Sequence, residues 1–480
     1  VQFLHCLGLF LFSFTQGVIV VTNTLSSPRD LGGNLRLRWS TSADLEALLD
    51  CYGFVYRDTP ESPVTAVQQN WIRSLIVGGH PQANPNNFAV VEDLSTKKIV
   101  AATTLMQQNI DFGGIPLSMG RPEIVATMPE YRNRGLIRHI FALIHERSEQ
   151  RGDHLQGITG IPYYYRQFGY EYALSLQDYM TFPFEQVPSL AEGTSEPYRL
   201  RKVMPNETSI LIELYEQNRT RPRSMHNGTA QMKPLVTTPA TEEYWQWSVN
   251  GHPQPVAEGW TAWFIVDTDE QICGYVLQKP LRWGKSIRVW DLGVAQGVSY
   301  LQIWPSLLRA LKQIGEQEPG VNEKVEPATQ ITFEFVGPHP LHDVVADAQG
   351  SNRKPGYYWY IRVADTPRFI RTIAPVLEQR LAESPLANYS GELSINHYRN
   401  GLKIGFEQGK LTVAEPWILP TWGAKPNVGI PAMPFLHLLF GNKNYDTLKE
   451  FFPDVWAHDE AAQVLRTIFP AQASVLLPLD

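Results

Sequence analysis

Along this chain the spacing of apolar residues changes period repeatedly, and each change marks an element. Leu35-Arg36-Leu37-Arg38 alternates as a short strand. Ser42-Ala43-Asp44 opens a helix whose apolar face is Leu45, Leu48 and Leu49. A second helix is predicted over 67–77, followed by a turn-rich stretch at 81–87. Residues 88–91 and 99–105 flank an acidic turn and predict a β-hairpin. Asp111-Phe112-Gly113-Gly114 is a further turn, and 123–128 a further strand. From 135 to 151 the pattern is helical, with Leu136, Ile140, Leu143 and Ile144 on one face.

The same order returns about 165 residues later. Tyr198-Arg199-Leu200-Arg201 echoes the first strand, and Met204-Pro205-Asn206-Glu207 echoes the helix start. Segments 263–266 and 272–277 flank another acidic turn at 267–270, and a strand over 287–294 leads to a helix over 300–314. We read a domain duplication; two unrelated α/β domains of similar order are the alternative. The last portion differs. A helix is predicted over 367–381, then three strands at 391–398, 402–406 and 410–413 with Asn-Gly and Gln-Gly turns, then helices at 434–440 and 445–451. The expected division is an extension at 1–34, domains at 35–190 and 191–366, and a C-terminal module at 367–480. The fold class is α/β (α+β), with mixed sheets flanked by helices.

Composition narrows the function classes. In 480 residues, 43% hydrophobic and 19% charged positions are enough to fill several cores. A formal net charge of −7 speaks against a protein that tracks nucleic-acid phosphates. The cysteines, Cys6, Cys51 and Cys273, are far apart and form no Cys-x-x-Cys pair, which favours a reducing, cytoplasmic setting without a disulfide framework. Residues 3–14 are nearly all apolar, yet Arg29 is the first basic residue. That stretch is short for a membrane span and lacks the basic start of a signal peptide. The chain begins with Val, so a mis-set or fragmentary start is expected, with an export signal as the alternative.

One segment concentrates chemistry. The strand Glu123-Ile124-Val125-Ala126-Thr127-Met128 enters a turn holding Arg132, Asn133, Arg134 and Gly135, which opens the helix at Leu136 and Ile137. Free N–H groups at a helix N-terminus attract anions, a glycine lets the backbone come close, and arginines add charge-assisted hydrogen bonds. The turn therefore suits a pyrophosphate; an arginine-bearing surface turn before an ordinary helix is the plainer reading. His139 and His145 follow on the helix and are read as solvent-facing, and Asp267, Asp269 and Glu270 as a solvated hairpin turn, so no metal site is expected.

Arg132-x-x-Gly135-x-Ile137 resembles the acetyl-CoA signature of the GNAT superfamily, Arg/Gln-x-x-Gly-x-Gly/Ala, departing from it only at Ile137. Tyr163-Tyr164-Tyr165-Arg166-Gln167-Phe168-Gly169-Tyr170-Glu171 is similar to that superfamily's second motif. The layout over 35–480 resembles the enhanced-intracellular-survival type of acetyltransferase: a GNAT domain, a second degenerate one, and a sterol-carrier-protein-like module. Gly293-Val294-Ala295-Gln296-Gly297 stands where the second domain would carry its own phosphate turn, so that domain is expected to be scaffold.

The resemblance implies direct transfer of acetyl from acetyl-CoA to a primary amine of a small molecule or a protein lysine, with no acyl-enzyme and no metal. It assigns Val125 and Thr127 to the pantetheine arm and Arg132, Asn133, Arg134, Gly135, Leu136 and Ile137 to the pyrophosphate. Tyr165 aligns with the proton donor to the thiolate, with Tyr164 as the adjacent alternative. The base is the chain's terminal carboxylate at Asp480 or, as a rival, Glu123, which the strand spacing puts on the same face as Val125. A homo-oligomer is implied, with no nucleic-acid or membrane partner. The competing classes are a non-catalytic lipid- or acyl-binding carrier and an assembly protein. The loops near 71–81 and 161–165 are expected to line the cleft.

Overall fold

The computed structural model describes residues 28–480 apart from 58, 60, 63, 65, 78, 224–231, 250–258, 283, 319, 321–324, 346–351, 355, 419–424 and 480. Most of the expected N-terminal extension, and Asp480, thus lie outside the described residues.

The chain forms three sheets flanked by helices, a mixed α/β architecture. The first sheet uses Arg29–Gly32 (β1), Leu35–Trp39 (β2), Phe88–Asp93 (β3), Lys98–Phe112 (β4), Ile115–Thr127 (β5), Leu155–Ile158 (β6) and Glu171–Ser175 (β7). Their spatial order is β1-β2-β3-β4-β5-β6, then Tyr358–Arg362, then β7, and Val236–Thr237 pairs with β4. The β4–β5 hairpin is much longer than the sequence predicts, because Gly113 and Gly114, both at positive φ, turn it tightly and late.

Leu45–Val55 (α1) and Ala66–Ile76 (α2) bury Leu48, Leu49, Tyr52, Ile72 and Leu75 against Val90, Ala102 and Met106 on one face of this sheet. Leu136–Gln150 (α3) covers the other face. Its Leu136, Ile140, Leu143 and Ile144 recur at helical spacing and pack on Leu37, Val91, Ala101 and Leu105. Each such side chain contributes about 1.5–3 kcal/mol by leaving water. β5 and β6 run parallel, but only Met119–Leu155 and Gly120–Gln156 pair. Beyond Gly120 the two strands part, opening a wedge in the middle of the sheet.

The second sheet runs Asn352–Lys354, Asp178–Pro183 (β8), Gln330–Phe335, Ser286–Val294, Ile272–Gln278, Thr261–Asp267 and Tyr198–Lys202. The third runs Lys410–Pro416, Gly401–Glu407, Gly391–Asn396, Val428–Gly429 and Trp456–Ala457. The first two sheets exchange strands. β8 leaves β7 after only two residues and enters the second sheet, while Tyr358–Arg362 returns to fill the gap between β6 and β7. One strand of the expected 35–190 domain, β8, therefore joins the second sheet, and two of 191–366, Val236–Thr237 and Tyr358–Arg362, join the first, since alternation marks a strand without saying which sheet it joins.

Two smaller expectations are corrected. The helix predicted over 367–381 is two helices, Thr366–Thr372 and Ala374–Ala382, broken at Ile373. Pro375 has no N–H for the carbonyl one turn earlier, so the ladder is interrupted there. His145 is not solvent-facing: its Nε2 lies 2.9 Å from the Tyr170 hydroxyl, and burial with nearby Arg362 lowers the imidazole to about 3.

The last residues cross between the units. The Leu476 carbonyl accepts from Trp359 Nε1 at 3.0 Å, Leu477 from Gln108 Nε2 and Thr238 Oγ1, each at 2.9 Å, and Leu479 from Arg121 at 2.7 Å. Val475, Leu476, Leu477 and Leu479 are buried along this path. Among the described residues no helix is long and apolar enough to cross a membrane.

Candidate active site

The wedge between β5 and β6 begins with a bulge. Glu123 stands opposite Thr104 and Ala126 opposite Ala102, so β5 carries one extra residue. Ile124 accommodates it at φ +54°, a conformation that costs a β-branched residue about 1–3 kcal/mol. The bulge corrects the expected facing of Glu123. Glu123 shares the α1/α2 face with Arg121, whereas Val125 packs toward the α3 core. The Val125 carbonyl accepts from the Tyr56 hydroxyl at 3.0 Å, a tie between α1 and the bulge that nothing in the sequence announces.

After β5, Pro129–Tyr131 makes one short helical turn and the chain winds through Arg132, Asn133, Arg134 and Gly135 into α3. Asn133 has φ +62° and Gly135 φ +73°, a left-handed alternation that turns successive amides inward. Among the described residues, the five backbone N–H groups from Asn133 to Ile137 donate to no acceptor. Arg132 and Arg134 are exposed, and within the described residues neither pairs with a carboxylate. Arg132 Nε donates to the Thr127 carbonyl at 3.3 Å, and Arg134 donates to Glu130 O at 3.0 Å over the Tyr131 ring. Unmet donors, two uncompensated cations and a helix N-terminus converge on one spot, a fit for a diphosphate. A cleft of about 800 Å³ leads from this turn past Val125 and Thr127 to Tyr56, Ile161 and Tyr164. Of the two loops expected at the cleft, 161–165 thus contributes two residues to its wall.

Tyr164 and Tyr165 lie at the start of the short helix Tyr164–Phe168. Tyr164 is on the cleft wall; Tyr165 sits behind it, 2% exposed, its ring against Phe141, Tyr170 and Tyr360. Its hydroxyl makes no hydrogen bond among the described residues. Burial pushes its phenol well above the usual tyrosine range, and the Glu123 carboxylate and Tyr56 push in the same direction. Tyr164 is raised by burial and pulled back by Arg138, on the phosphate side of the cleft. The two phenols thus have different surroundings: Tyr165 is buried behind the wall, while Tyr164 lines the cleft with Arg138.

Arg121, also missed in the sequence, joins the remaining parts. It is fully buried, and its guanidinium donates to Glu123 at 2.7 Å, to Gln108 Oε1 at 3.0 Å and to the Leu479 carbonyl. The alternation Arg121-x-Glu123 inside an otherwise apolar strand is the signal that could have revealed it. One cation therefore holds Glu123 and the chain next to Asp480 together. Replacing Arg121 with Ala is expected to lower unfolding free energy by about 3–5 kcal/mol, because a buried carboxylate loses its cation. Urea denaturation measures this; a change below about 1 kcal/mol would show that Glu123 does not depend on the pair.

Comparisons with known proteins bear on the fold that carries this geometry. Residues 36–173 match the family model for the acetyltransferase (GNAT) domain. A probable N-acyltransferase of unknown function from Enterococcus faecalis V583 superposes with a TM-score of 0.63 at 16% identity, covering 92% of this chain and 99% of that one. A GCN5-related N-acetyltransferase from Anabaena variabilis gives 0.60 at 14% identity, with 92% and 99% covered. Eis1 from Mycobacterium abscessus gives 0.54 at 13%, with 93% and 99% covered. No curated protein matches. At these identities the likeness establishes the fold: a GNAT-type domain within a larger mixed α/β chain.

Proposed function

We propose that this chain is an N-acetyltransferase that moves acetyl from acetyl-CoA directly to a primary amine of a small molecule or a protein lysine. The observation that carries this reading is the row of five N–H groups, unmet among the described residues, beside Arg132 and Arg134 at the head of a cleft of about 800 Å³. The backbone of residues 133–137, with Arg132 and Arg134, holds the diphosphate, and the Val125–Thr127 edge aligns the pantetheine.

The acceptor amine, with a pKa near about 10.4, must shed a proton before its nitrogen can attack the thioester carbonyl. Glu123, or a carboxylate at Asp480 brought in by the Arg121-held tail, takes that proton. The C–S bond breaks, and the sulfur takes a proton from Tyr165, whose raised pKa keeps it protonated until the thiolate forms. The second sheet unit is a degenerate GNAT domain, and the third a sterol-carrier-protein-like module. The second binds no cofactor and serves as scaffold, the third helps to shape the site, and the chain works as a cytoplasmic homo-oligomer.

Calorimetry with acetyl-CoA tests the cofactor site. Each of Arg132→Ala and Arg134→Ala should weaken binding about tenfold, the effect of one charge-assisted hydrogen bond. A carrier or assembly protein would bind no acetyl-CoA, and the two variants would then match wild type.

A further inference from the structure

Three tyrosine hydroxyls from two distant parts of the chain meet beneath the loop that leads to Tyr165. Tyr172 belongs to β7, Tyr360 to the returning strand Tyr358–Arg362, and Tyr357 immediately precedes that strand. The Tyr357 hydroxyl donates to the Gly160 carbonyl, and Tyr360 to the Ile161 carbonyl at 3.1 Å. The Tyr172 oxygen accepts from the Tyr360 hydroxyl, lies 3.3 Å from that of Tyr357, and accepts from the Tyr163 amide at 2.9 Å.

Tyr357 serves Gly160, the one Tyr360 proton serves the Ile161 carbonyl and the Tyr172 oxygen, and the Tyr163 amide donates to Tyr172. Four consecutive loop residues, 160 to 163, thereby have three of their backbone groups tied to side chains.

The loop needs such ties. Gly160 sits at φ +119°, open only to glycine, and Tyr163 at φ +65°, unusual for an aromatic residue. The Tyr360 ring also faces the Tyr165 ring at 5.3 Å, and Gly160 approaches the Tyr165 hydroxyl so closely that an added Cβ would lie 3.8 Å from it.

We propose that Tyr172, Tyr357 and Tyr360 are positioning residues for acetyl transfer: their hydroxyls clamp residues 160–163 and thereby set where the Tyr165 hydroxyl points. Tyr357 and Tyr360 arrive only after the chain has built the second sheet, so the strand that returns from it to the first sheet supplies part of the catalytic geometry. This inference rests on Tyr165 being the proton donor.

The electrostatics agree. Burial acts to raise Tyr172, but the hydrogen bonds from Tyr357, Tyr360 and the Tyr163 amide, with Arg166 nearby, outweigh it and leave Tyr172 below the usual tyrosine range. Tyr357 and Tyr360 are both raised by burial and by Tyr172. The charged and titratable groups around the clamp are Arg166, which lies over the rings of Tyr163 and Tyr172, its partner Glu171, His437 3.8 Å from Glu171, and Tyr358, whose ring lies 6.1 Å from that of Tyr172. Tyr165 itself faces Glu123, Tyr56, Tyr164 and Tyr170.

The test uses the full chain with Tyr357→Phe, Tyr360→Phe and Tyr165→Phe. Phenylalanine keeps each ring, and Ile161 is 55% exposed, so water can take up the lost bond and the fold should survive. Tyr360→Phe and Tyr357→Phe should each lower kcat about tenfold while the acetyl-CoA Kd stays within about threefold. With the clamp loosened, Tyr165 becomes better solvated. The kcat profile should then gain a fall at alkaline pH that wild type lacks below about pH 10, and the fall should vanish when Tyr165→Phe is added. Clamp variants within about twofold of wild type, beside a Tyr165→Phe variant at least a hundredfold down, would overturn the clamp alone. A fully active Tyr165→Phe enzyme would overturn the donor assignment and the clamp with it.

Discussion

Gly135→Asp is expected to abolish acetyl-CoA binding, with a loss of at least a hundredfold, while leaving most of the fold's stability intact. Two effects combine at this residue, and a control separates them. Gly135 has φ +73°, so any other L-residue is strained by about 1 kcal/mol, though an added Cβ would meet nothing within 4 Å. Asp also brings a carboxylate to the row of N–H groups that should receive the diphosphate. At about 4 Å and an effective dielectric of about 20, two like charges repel by roughly 4 kcal/mol, so charge outweighs strain. Gly135→Asn tolerates the left-handed backbone and carries no charge. It should keep binding within about tenfold of wild type. Equal losses from Asp and Asn would mean that backbone shape matters here more than charge; no loss from either would remove the turn from the cofactor site.

Tyr165→Phe should lower kcat by about 10²–10³ with little change in KM, and should leave thermal stability unchanged or slightly raised. The stability half follows from packing. The ring contacts with Phe141, Tyr170 and Tyr360 survive, and the hydroxyl has no protein partner among the described residues to abandon. The kinetic half follows from the missing proton for the departing thiolate. Tyr164→Phe is the matched control and should keep kcat within about threefold, because Tyr164 lines the cleft beside Arg138, at its phosphate end. The pH profile adds a check with a definite sign. A raised Tyr165 stays protonated as the acceptor amine loses its proton, so kcat should climb with pH and show no decline from Tyr165 below about pH 10. A large effect of Tyr164→Phe and none of Tyr165→Phe would move the donor by one residue.

Much of the first unit could be read locally. Alternation at Leu35–Trp39, the helical spacing of Leu136, Ile140, Leu143 and Ile144, and the Arg132–Gly135 turn all depend on residues within a few positions of each other. The echo at 198–314 also became strands and helices close to where the sequence places them. The helix Asp459–Ile468 was missed, as was the break at Ile373. Tyr165 was legible as a motif position, but its separation from Tyr164 in environment was not.

What the sequence by itself determined, then, is the kind and order of the elements and the phosphate turn, because backbone periodicity, turn chemistry and helix starts are short-range. Only the tertiary structure decided the rest. The bulge at Ile124 moved Glu123 off the face of Val125, Arg121 drew Glu123 and Leu479 to one guanidinium, and β8 and Tyr358–Arg362 exchanged sheets. Each of these depends on which strands pair and which buried groups find partners, in two of the three cases across more than a hundred residues. A strand's alternation is the same whatever its neighbour, so the choice of partner belongs to the packed core.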